Sequence, residues 1–336
     1  MKRVIKIASV YVGLIIGAGF ASGREVLEYF NFPSNGKFFG VLISALMFMA
    51  IAYIILSKAS ENKINSFDLY IDSVAGRCAT AIKYFIRIYM FCGLFVMFAG
   101  SGALVDRISP FSNLWGAVVM ALICFVVICF DVKGIVALNM VLVPLMICGI
   151  LYVSFCSVIF NDISVFAESG GKQIMLSAVC YCAYNTVTAG SVLVPLAEDT
   201  TNKEIKKAAM LGGFVIGLLI MAVWCVQQIN IDILWDSELP MLELSALCGK
   251  ACKRIYTAVL FMAICTTAVS YGFGIMSHFA YKIKCFGQRV LLAAVLCLAA
   301  IPFSLYGFSN LVAELYSLFG YLGMIWIIWI VIDKYK

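Results

Sequence analysis

The segment best suited to chemistry is a glycine-rich stretch inside the first long apolar run, GLIIGAGFASGRE, at positions 13–25. Each of its four glycines costs about 1 kcal/mol relative to alanine inside a helix. In a bilayer an unpaired backbone group costs several kcal/mol, so a helix unwinds only where a cavity supplies partners. Gly17 and Gly19 would let the chain turn and a ligand approach. Amides after Gly19 would then favour an anion, and carbonyls before Gly17 a cation. The same glycines also form two small-xxx-small motifs, which are typical of helix packing.

A second polar interruption lies in a later apolar run, CYCAYNTVTAGSVLVPLAED, at positions 180–199. Hydroxyl, amide and glycine residues cluster there between Tyr184 and Ser191, and Pro195 follows. Interrupted segments at matching positions of two halves are the best sequence indication of a binding site near the bilayer midplane. We therefore predict that both runs are discontinuous helices that meet halfway across the membrane.

Two further features could contribute to such a site. Thr266 and Thr267 are adjacent hydroxyls at the middle of an apolar run, followed by Ser270. Oxygen ligands suit a hard cation such as Na⁺, although threonines in membrane helices also bond to their own helix carbonyls. Glu25 follows Arg24, and an acid within the membrane is a functional candidate by default. It would protonate, gate the site or pair with a cation; alternatively, it lies at the interface and stabilises the positive end of a short helix.

The elements that must position these residues are membrane helices. The 336 residues are 64% hydrophobic and only 12% charged, with a mean hydropathy of +1.03. No water-soluble core needs that much apolar material. About ten runs are long enough to cross a hydrocarbon core of roughly 30 Å. They lie at about 4–22, 37–57, 80–105, 114–131, 134–160, 173–196, 207–228, 251–281, 287–305 and 309–332.

Ten spans divide into two halves of five, which must insert with opposite orientations, as in the inverted repeats of many secondary transporters. We expect a single transmembrane domain over 1–336, with repeats at about 4–160 and 173–332. A short amphipathic piece at about 24–32 follows the first span, and another at about 66–78 would lie on the membrane surface or cap the bundle. Lysine and arginine are more than twice as frequent in the loops on the N-terminal side. Both termini are therefore expected in the cytoplasm.

Several classes of protein are disfavoured by the sequence. Most of the 14 cysteines lie inside apolar runs, and there is one histidine, so a site for a soft metal or another cofactor is poorly supported. Neither a phosphate-binding GxxxxGK[ST] motif nor a GxSxG motif occurs, which argues against an ATPase and against an enzyme. Basic residues are spread over many short loops, and we therefore expect no nucleic-acid partner.

The stretch VGLIIGAGFASGREVLEYF at positions 12–30 resembles the YkvI-like family of bacterial membrane proteins. These belong to the amino acid–polyamine–organocation (APC) superfamily, which has the LeuT-type fold. The resemblance implies an all-α protein with a 5+5 inverted repeat and a substrate site between spans 1, 3, 6 and 8. It places a Na⁺ ion on the carbonyls of Gly13, Ile16 and Ala263 and the hydroxyls of Thr266 and Thr267. The substrate residues it implies are Gly17, Ala18, Gly19, Phe20, Ala21, Tyr89 (with Phe95 second), Tyr184, Asn185 and Thr188.

The function implied is secondary active transport in the bacterial cytoplasmic membrane, as Na⁺-coupled symport of an amino acid or related small zwitterion by alternating access. The segment reads GAGFASG, where amino-acid permeases of the superfamily more often have a GxGxG-like run, so the substrate is left open. Two alternatives also remain. One is an H⁺-coupled permease, with Glu25 as the proton or gating residue, and the other is a sensor that binds a ligand on the same scaffold without net transport.

Overall fold

The computed structural model describes residues 2–30, 37–130, 134–160, 171–197, 200–279 and 285–334. Every regular element in these ranges is helical. The α-helices are α1 (Lys2–Ile15), α2 (Ala18–Ser22), α3 (Arg24–Phe30), α4 (Lys37–Glu61), α5 (Phe67–Ala75), α6 (Ala79–Ile108), α7 (Asn113–Phe130), α8 (Gly134–Phe160), α9 (Gly171–Leu196), α10 (Asn202–Ile229), α11 (Ile231–Leu234), α12 (Pro240–Leu247), α13 (Lys250–Phe279), α14 (Phe286–Ser304), α15 (Phe308–Leu311) and α16 (Ser317–Lys334). A 3₁₀ turn at Gly76–Cys78 joins α5 to α6, and a π-helical turn at Val312–Tyr316 joins α15 to α16.

Seven helical stretches within the described residues are long and apolar enough to cross a bilayer. They are Phe38–Glu61, Phe67–Ile108, Met175–Leu196, Asn202–Ile229, Lys250–Met276, Phe286–Ser304 and Phe308–Ile332, and two shorter apolar helices cover Asn113–Cys129 and Leu142–Ser157. Large apolar side chains such as Phe39, Leu291 and Leu298 are exposed on the outside, where lipid is the favourable solvent. The prediction of an all-α membrane protein is confirmed.

The helices pack into two groups. The bundle group comprises α1, α4, α9 and α10, in which α4 runs along both α9 and α10 while α1 lies against α9 and α10. The scaffold group comprises α6, α7, α13 and α14. Helix α8 contacts α10 and α13, and α16 packs along α9. The two groups therefore meet around α1, α8 and α13.

Small residues allow the closest approach inside the bundle group. A Cβ atom added to Gly213 would lie 2.5 Å from the side chain of Met49, and one added to Gly217 would lie 2.5 Å from Ala45. Helices that cannot rely on water for a driving force gain dispersion energy by such close contact. Some of the glycines therefore allow close helix packing, whereas the glycines described next lie where the first span is interrupted.

The first apolar run is interrupted at Gly17, as its glycines predict, and a second time at Gly23. Helix α1 ends at Ile15, and Ile16 and Gly17 are not helical. The short helix α2 ends at Gly23, whose φ of 81° lies in the left-handed region. A side chain there would strain the backbone. Helix α3 then continues inward and packs against α2, α9 and α10, so this piece is buried and does not lie on the surface; residues 31 and 32 of the predicted 24–32 piece are outside the described residues.

The predicted break in the sixth apolar run is wrong. Helix α9 continues without interruption from Gly171 to Leu196. Its polar side chains bond to carbonyls of their own helix one turn earlier, which lets hydroxyl and amide residues remain helical in an apolar environment. Pro195 comes only in the last turn, where it breaks little. The bonds are Asn185 Nδ2 to Tyr181 O at 3.0 Å, Thr186 Oγ1 to Cys182 O at 2.6 Å and Thr188 Oγ1 to Asn185 O at 2.8 Å.

The second amphipathic piece caps the helices. The Ser66 hydroxyl accepts a hydrogen bond from the Leu69 amide at 3.3 Å and starts α5, as an N-cap serine commonly does. Helix α5 then packs on α6, α9 and α16, and Lys83 pairs with Asp72 at 2.7 Å. Of the two locations that the sequence allowed, this segment takes the one against the helices.

Candidate functional site

A cavity of about 130 Å³ lies where the first interruption faces α13. Its walls come from α1, α2, α3, α6, α8, α9, α13 and the π-helical turn. The bundle and scaffold groups therefore both contribute to it. A void that is shared by two packed groups is well placed to change shape when one group moves against the other.

Most of the residues predicted from the sequence line this one cavity. They are Gly13, Ile16, Gly17, Ala18, Gly19, Glu25, Tyr89, Tyr184, Asn185, Thr188, Ala263, Thr266 and Thr267. Phe20 and Ala21 do not line it, because α2 is helical and turns these two side chains into the core. Phe95 is also absent from the walls and stacks on Phe303, with 5.3 Å between ring centroids.

Other wall residues were not selected from the sequence. Tyr271 follows Thr267 by one helical turn and therefore lies on the same face of α13. This helical spacing could have identified Tyr271 from the sequence. The same reasoning applies to Ser270, which was noted with the threonine pair but not selected. Tyr316 projects from the π-helical turn, and such turns occur often at functional sites but leave no clear sequence pattern. The remaining additions are Leu14, Ile15, Met97, Val143 and Met146.

At the first interruption the backbone meets α13 directly. The Ala18 amide donates to the Thr267 hydroxyl at 3.4 Å, and the Thr266 hydroxyl donates to the Ala263 carbonyl at 3.1 Å. The last carbonyls of α1 point the same way along the helix axis, and the end of a helix leaves them without intrahelical partners. The end of α1 and the threonine pair of α13 thus line the same cavity, and carbonyl and hydroxyl oxygens are the donors that a hard cation prefers.

At the second interruption three backbone carbonyls accept hydrogen bonds from side chains. Tyr256 donates to the Ala21 carbonyl at 2.6 Å, and Gln227 donates to the Gly23 carbonyl at 2.7 Å. The Ser22 hydroxyl donates to the carbonyl of Gly19 at 2.7 Å. Because lipid cannot supply these partners, the three side chains explain how the chain can turn here. They also hold α2 in a fixed orientation toward the cavity.

Glu25 is the carboxylate of the cavity wall. Its residue is 6% exposed, and its Oε2 atom has no hydrogen-bond partner among the described residues. The hydroxyl of Tyr184 neighbours the carboxyl group without reaching hydrogen-bond geometry. Arg24, the adjacent cation, points elsewhere and pairs with Glu28 at 3.3 Å. The structure therefore places a buried acid beside the cavity with no cation of the described chain against it.

Tyrosine rings surround this acid. Tyr184 of α9 lies against Tyr316 with ring centroids 4.9 Å apart, and Tyr29 stacks on Tyr184 at 5.6 Å. Tyr89 of α6 meets Tyr271 of α13 edge-on, with 6.1 Å between centroids. Tyr89, Tyr184, Tyr271 and Tyr316 all line the cavity. This end of the cavity is therefore aromatic and carries one carboxylate, whereas the α13 threonine wall is neutral and rich in oxygen.

The fold is of the LeuT type. The chain matches the inward-facing conformation of Mhp1 with a TM-score of 0.68 and 14% identity, over 95% of this chain and 73% of that one. It matches a Na⁺-coupled sialic acid symporter with a TM-score of 0.60 and 14% identity, over 94% and 75%. It matches the manganese transporter of Eremococcus coleocola with a TM-score of 0.64 and 11% identity, over 96% and 77%. At these identities the likeness establishes the fold.

At the level of sequence, the chain is homologous to two proteins of Bacillus subtilis (strain 168). It is 29% identical to the uncharacterized membrane protein YkvI over 339 aligned residues, covering 96% of this chain and 93% of YkvI. It is 27% identical to the uncharacterized protein YyaD over 322 residues, covering 93% and 91%. No family model matches the chain. The resemblance to YkvI-like membrane proteins with the LeuT-type fold is confirmed.

Proposed function

We propose that the chain is a secondary active transporter that carries an amino acid or related small zwitterion in symport with Na⁺, by alternating access. The observation that supports this most strongly is the convergence of the interrupted first helix and the α13 threonines on one cavity. Solved structures with the same fold include a protein described as a Na⁺-coupled symporter. The similar solved structures are transporters, which agrees with the expectation that the chain is not an enzyme.

The proposed Na⁺ site uses neutral oxygens only. It would consist of the carbonyls of Gly13, Ile16 and Ala263 and the hydroxyls of Thr266 and Thr267. All five residues lie in the cavity wall, and two of the oxygens, Ala263 O and Thr266 Oγ1, are already 3.1 Å apart. The negative end of the α1 dipole adds to the attraction for a cation. The ion would hold the first span against α13, so that its release would allow the two groups to separate.

The size of the cavity supports a small substrate. A volume of about 130 Å³ is well below the roughly 300–1,000 Å³ of pockets for drug-sized ligands. In this proposal the substrate carboxylate meets the first amides of α2, between Gly17 and Ala21. The Ala21 amide already bonds to the Gly17 carbonyl at 2.9 Å and the Ala18 amide to the Thr267 hydroxyl at 3.4 Å, so the amides of Gly19 and Phe20 are the candidates for the substrate. Tyr89, Tyr184, Asn185 and Thr188 complete the pocket.

The proposed motion would involve the bundle group and the scaffold group. We infer ten spans in two inverted halves, about 4–160 and 173–332, within one domain. The first span is made of α1 to α3, and the bundle group would rock against the scaffold group about the cavity between them. The charge bias of the loops supports a position in the bacterial cytoplasmic membrane with both termini in the cytoplasm.

One observation favours a second candidate, an H⁺-coupled permease. Glu25 is buried beside the cavity and its Oε2 atom lacks a hydrogen-bond partner in the described ranges. Acids in such positions serve proton relays in pumps and transporters. A sensor on the same scaffold would bind the ligand at the same residues without moving it, so only a measurement of transport separates it from the first proposal.

The decisive experiment is uptake of labelled amino acids into proteoliposomes, with a Na⁺ gradient, with an H⁺ gradient, or with K⁺ replacing Na⁺. Accumulation that requires the Na⁺ gradient supports the proposal. Accumulation driven by H⁺ alone supports the permease, and saturable binding without accumulation supports the sensor. Thr266→Val and Thr267→Val should abolish the dependence on Na⁺. Thr257→Val is the matched control, because the Thr257 hydroxyl bonds only to the Lys253 carbonyl of its own helix at 2.7 Å.

A further inference from the structure

We propose that Glu25 and the surrounding tyrosine rings form a subsite for a positively charged ammonium group. The inference rests on the proposed function, since it assigns one end of a small zwitterion to one end of the cavity. The simplest ligand that this subsite should accept is a small organic ammonium ion.

The first argument is the unbalanced charge of Glu25. Its carboxyl group is enclosed, lines the cavity and leaves Oε2 without a partner in the part of the chain that the structure describes. The adjacent Arg24 is committed to Glu28 at 3.3 Å and to the Ser237 carbonyl at 3.1 Å. A buried carboxylate without a cation is strongly unfavourable. A ligand that brings a positive charge into the cavity would remove this penalty.

The second argument is the arrangement of the rings. Tyr184 and Tyr316 lie 4.9 Å apart with planes inclined by 36°, and Tyr89 and Tyr271 meet at 77°. Rings that differ in orientation and share one small cavity can present faces and edges on several sides of a ligand. The face of an aromatic ring attracts a cation within about 6 Å of its centroid, and cages of such rings recognise ammonium groups.

The third argument is that separate elements converge on this one point. Glu25 comes from α3, and the four tyrosines come from α6, α9, α13 and the π-helical turn. Core packing alone would be served by phenylalanine, because a buried hydroxyl without a partner costs free energy. The Tyr184 hydroxyl has no hydrogen-bond partner among the described residues. A polar ligand in the cavity would give it one.

The two ends of the cavity then select a zwitterion with a short spacer. An ammonium group would lie among the tyrosines, and the opposite charge would lie toward α2 and Thr267. Gly19 keeps these ends close, because a Cβ atom at this position would overlap the Glu25 carboxyl group. The class of ligand is therefore a small α-amino acid or an N-methylated relative.

The test measures binding of simple ions to the purified full-length protein in nanodiscs. Methylammonium and tetramethylammonium chloride are the probes, acetate is the anionic counterpart, and thermal stabilisation reports binding. We expect both ammonium ions to stabilise the wild type, and any effect of acetate, which would bind at the α2 amides, to be independent of Glu25. Glu25→Gln should weaken ammonium binding about 30-fold or more, as expected when one partner of a buried charge pair is removed. Tyr316→Leu should weaken tetramethylammonium binding about fivefold.

Matched controls separate the subsite from general effects. Glu28→Gln removes the next acid on α3, which pairs with Arg24 and does not line the cavity. Tyr84→Leu removes an exposed ring. Both variants should bind the probes as the wild type does. Glu25→Asp keeps the charge and should retain part of the affinity, even if Glu25→Gln folds poorly.

Unchanged ammonium affinity in Glu25→Gln, or stabilisation by acetate but by neither ammonium ion, would overturn the subsite. These results do not depend on transport, so the two proposals can fail separately. Ammonium binding that needs Glu25, found together with no uptake into proteoliposomes, would leave the subsite standing and reject the transporter. Na⁺-driven uptake, found together with ammonium binding that Glu25→Gln does not weaken, would support the transporter and reject the subsite.

Discussion

The carboxyl group of Glu25 occupies the space that a side chain on Gly19 would need. A Cβ atom at position 19 would overlap Glu25 Oε1 and lie 2.7 Å from Cδ. The two residues belong to successive short helices, α2 and α3, joined at Gly23. The absence of a side chain at position 19 therefore lets the acid fold back against α2 and reach the cavity.

Gly19→Ala should accordingly displace Glu25 without unfolding the protein. We expect binding of the ammonium probes to weaken about tenfold, because a misplaced charge loses much of its interaction with a buried partner. Isothermal titration of the variant in nanodiscs measures this. Gly149→Ala is the control, since a Cβ atom there would make an ordinary contact of 3.5 Å with Tyr256. Equal binding in the two variants would show that the close contact between Gly19 and Glu25 has no functional role.

The second turn of the first span makes a separate prediction. Gly23 has a φ of 81°, and a Cβ atom would lie 2.7 Å from both Gln227 and Met241. Gly249 also has a positive φ, 109°, but has nothing within 4 Å of the added atom. The left-handed conformation alone costs about 1–2 kcal/mol for a residue with a side chain. Gly249→Ala should therefore show this backbone cost, and Gly23→Ala should lose clearly more in thermal unfolding because of the clash.

How far the sequence could predict the site is clear from individual residues. The glycines between positions 13 and 23 pointed to the break at Ile16–Gly17, because they lower the cost of unwinding, although the same spacing also suits helix packing. The polar residues around Thr186 gave a similar signal, yet α9 is continuous, because their side chains satisfy themselves on carbonyls of the same helix. The sequence alone does not determine whether a polar residue such as threonine marks a break in the helix or bonds to a carbonyl of its own continuous helix.

The sequence also does not determine which way the side chains of an element face. Phe20 and Ala21 belong to the segment that lines the cavity, but one turn of helix rotates them into the core. Tyr316 reaches the cavity because a π-helical turn shifts its register, which a pattern based on a period of 3.6 residues cannot anticipate. The predicted elements were thus largely right, whereas the rotation of each element depended on tertiary packing.

The hydrogen bond from Tyr256 to the Ala21 carbonyl should contribute to stability. The bond is 2.6 Å long and buried. Tyr256→Phe would leave that carbonyl unpaired away from water, at a cost of about 1–3 kcal/mol. We expect a lower midpoint of thermal unfolding, together with faster hydrogen exchange at α2. Tyr152→Phe is the control because Tyr152 is exposed, and a shift of the same size in both variants would argue against a specific role for this bond.

Native cysteines provide a test of the proposed orientation. Cys78 and Cys285 are exposed and lie at loops that the charge bias assigns to the cytoplasm. A membrane-impermeant maleimide should leave both unlabelled in intact cells and label them in inverted vesicles, as mapped by mass spectrometry of the peptides. Labelling of Cys78 from outside intact cells would reverse the proposed orientation.

Cys248, on the opposite side of the membrane in this orientation, should label in a strongly pH-dependent way. It caps the end of α12 and is partly buried, and this burial raises the pKa of the Cys248 thiol to about 12. Since only the thiolate reacts, labelling from outside should be slow at neutral pH. Below the pKa, the labelling rate should rise about tenfold for each unit of increase in pH. Fast labelling at pH 7 that does not increase with pH would mean that this thiol is not buried at the end of α12.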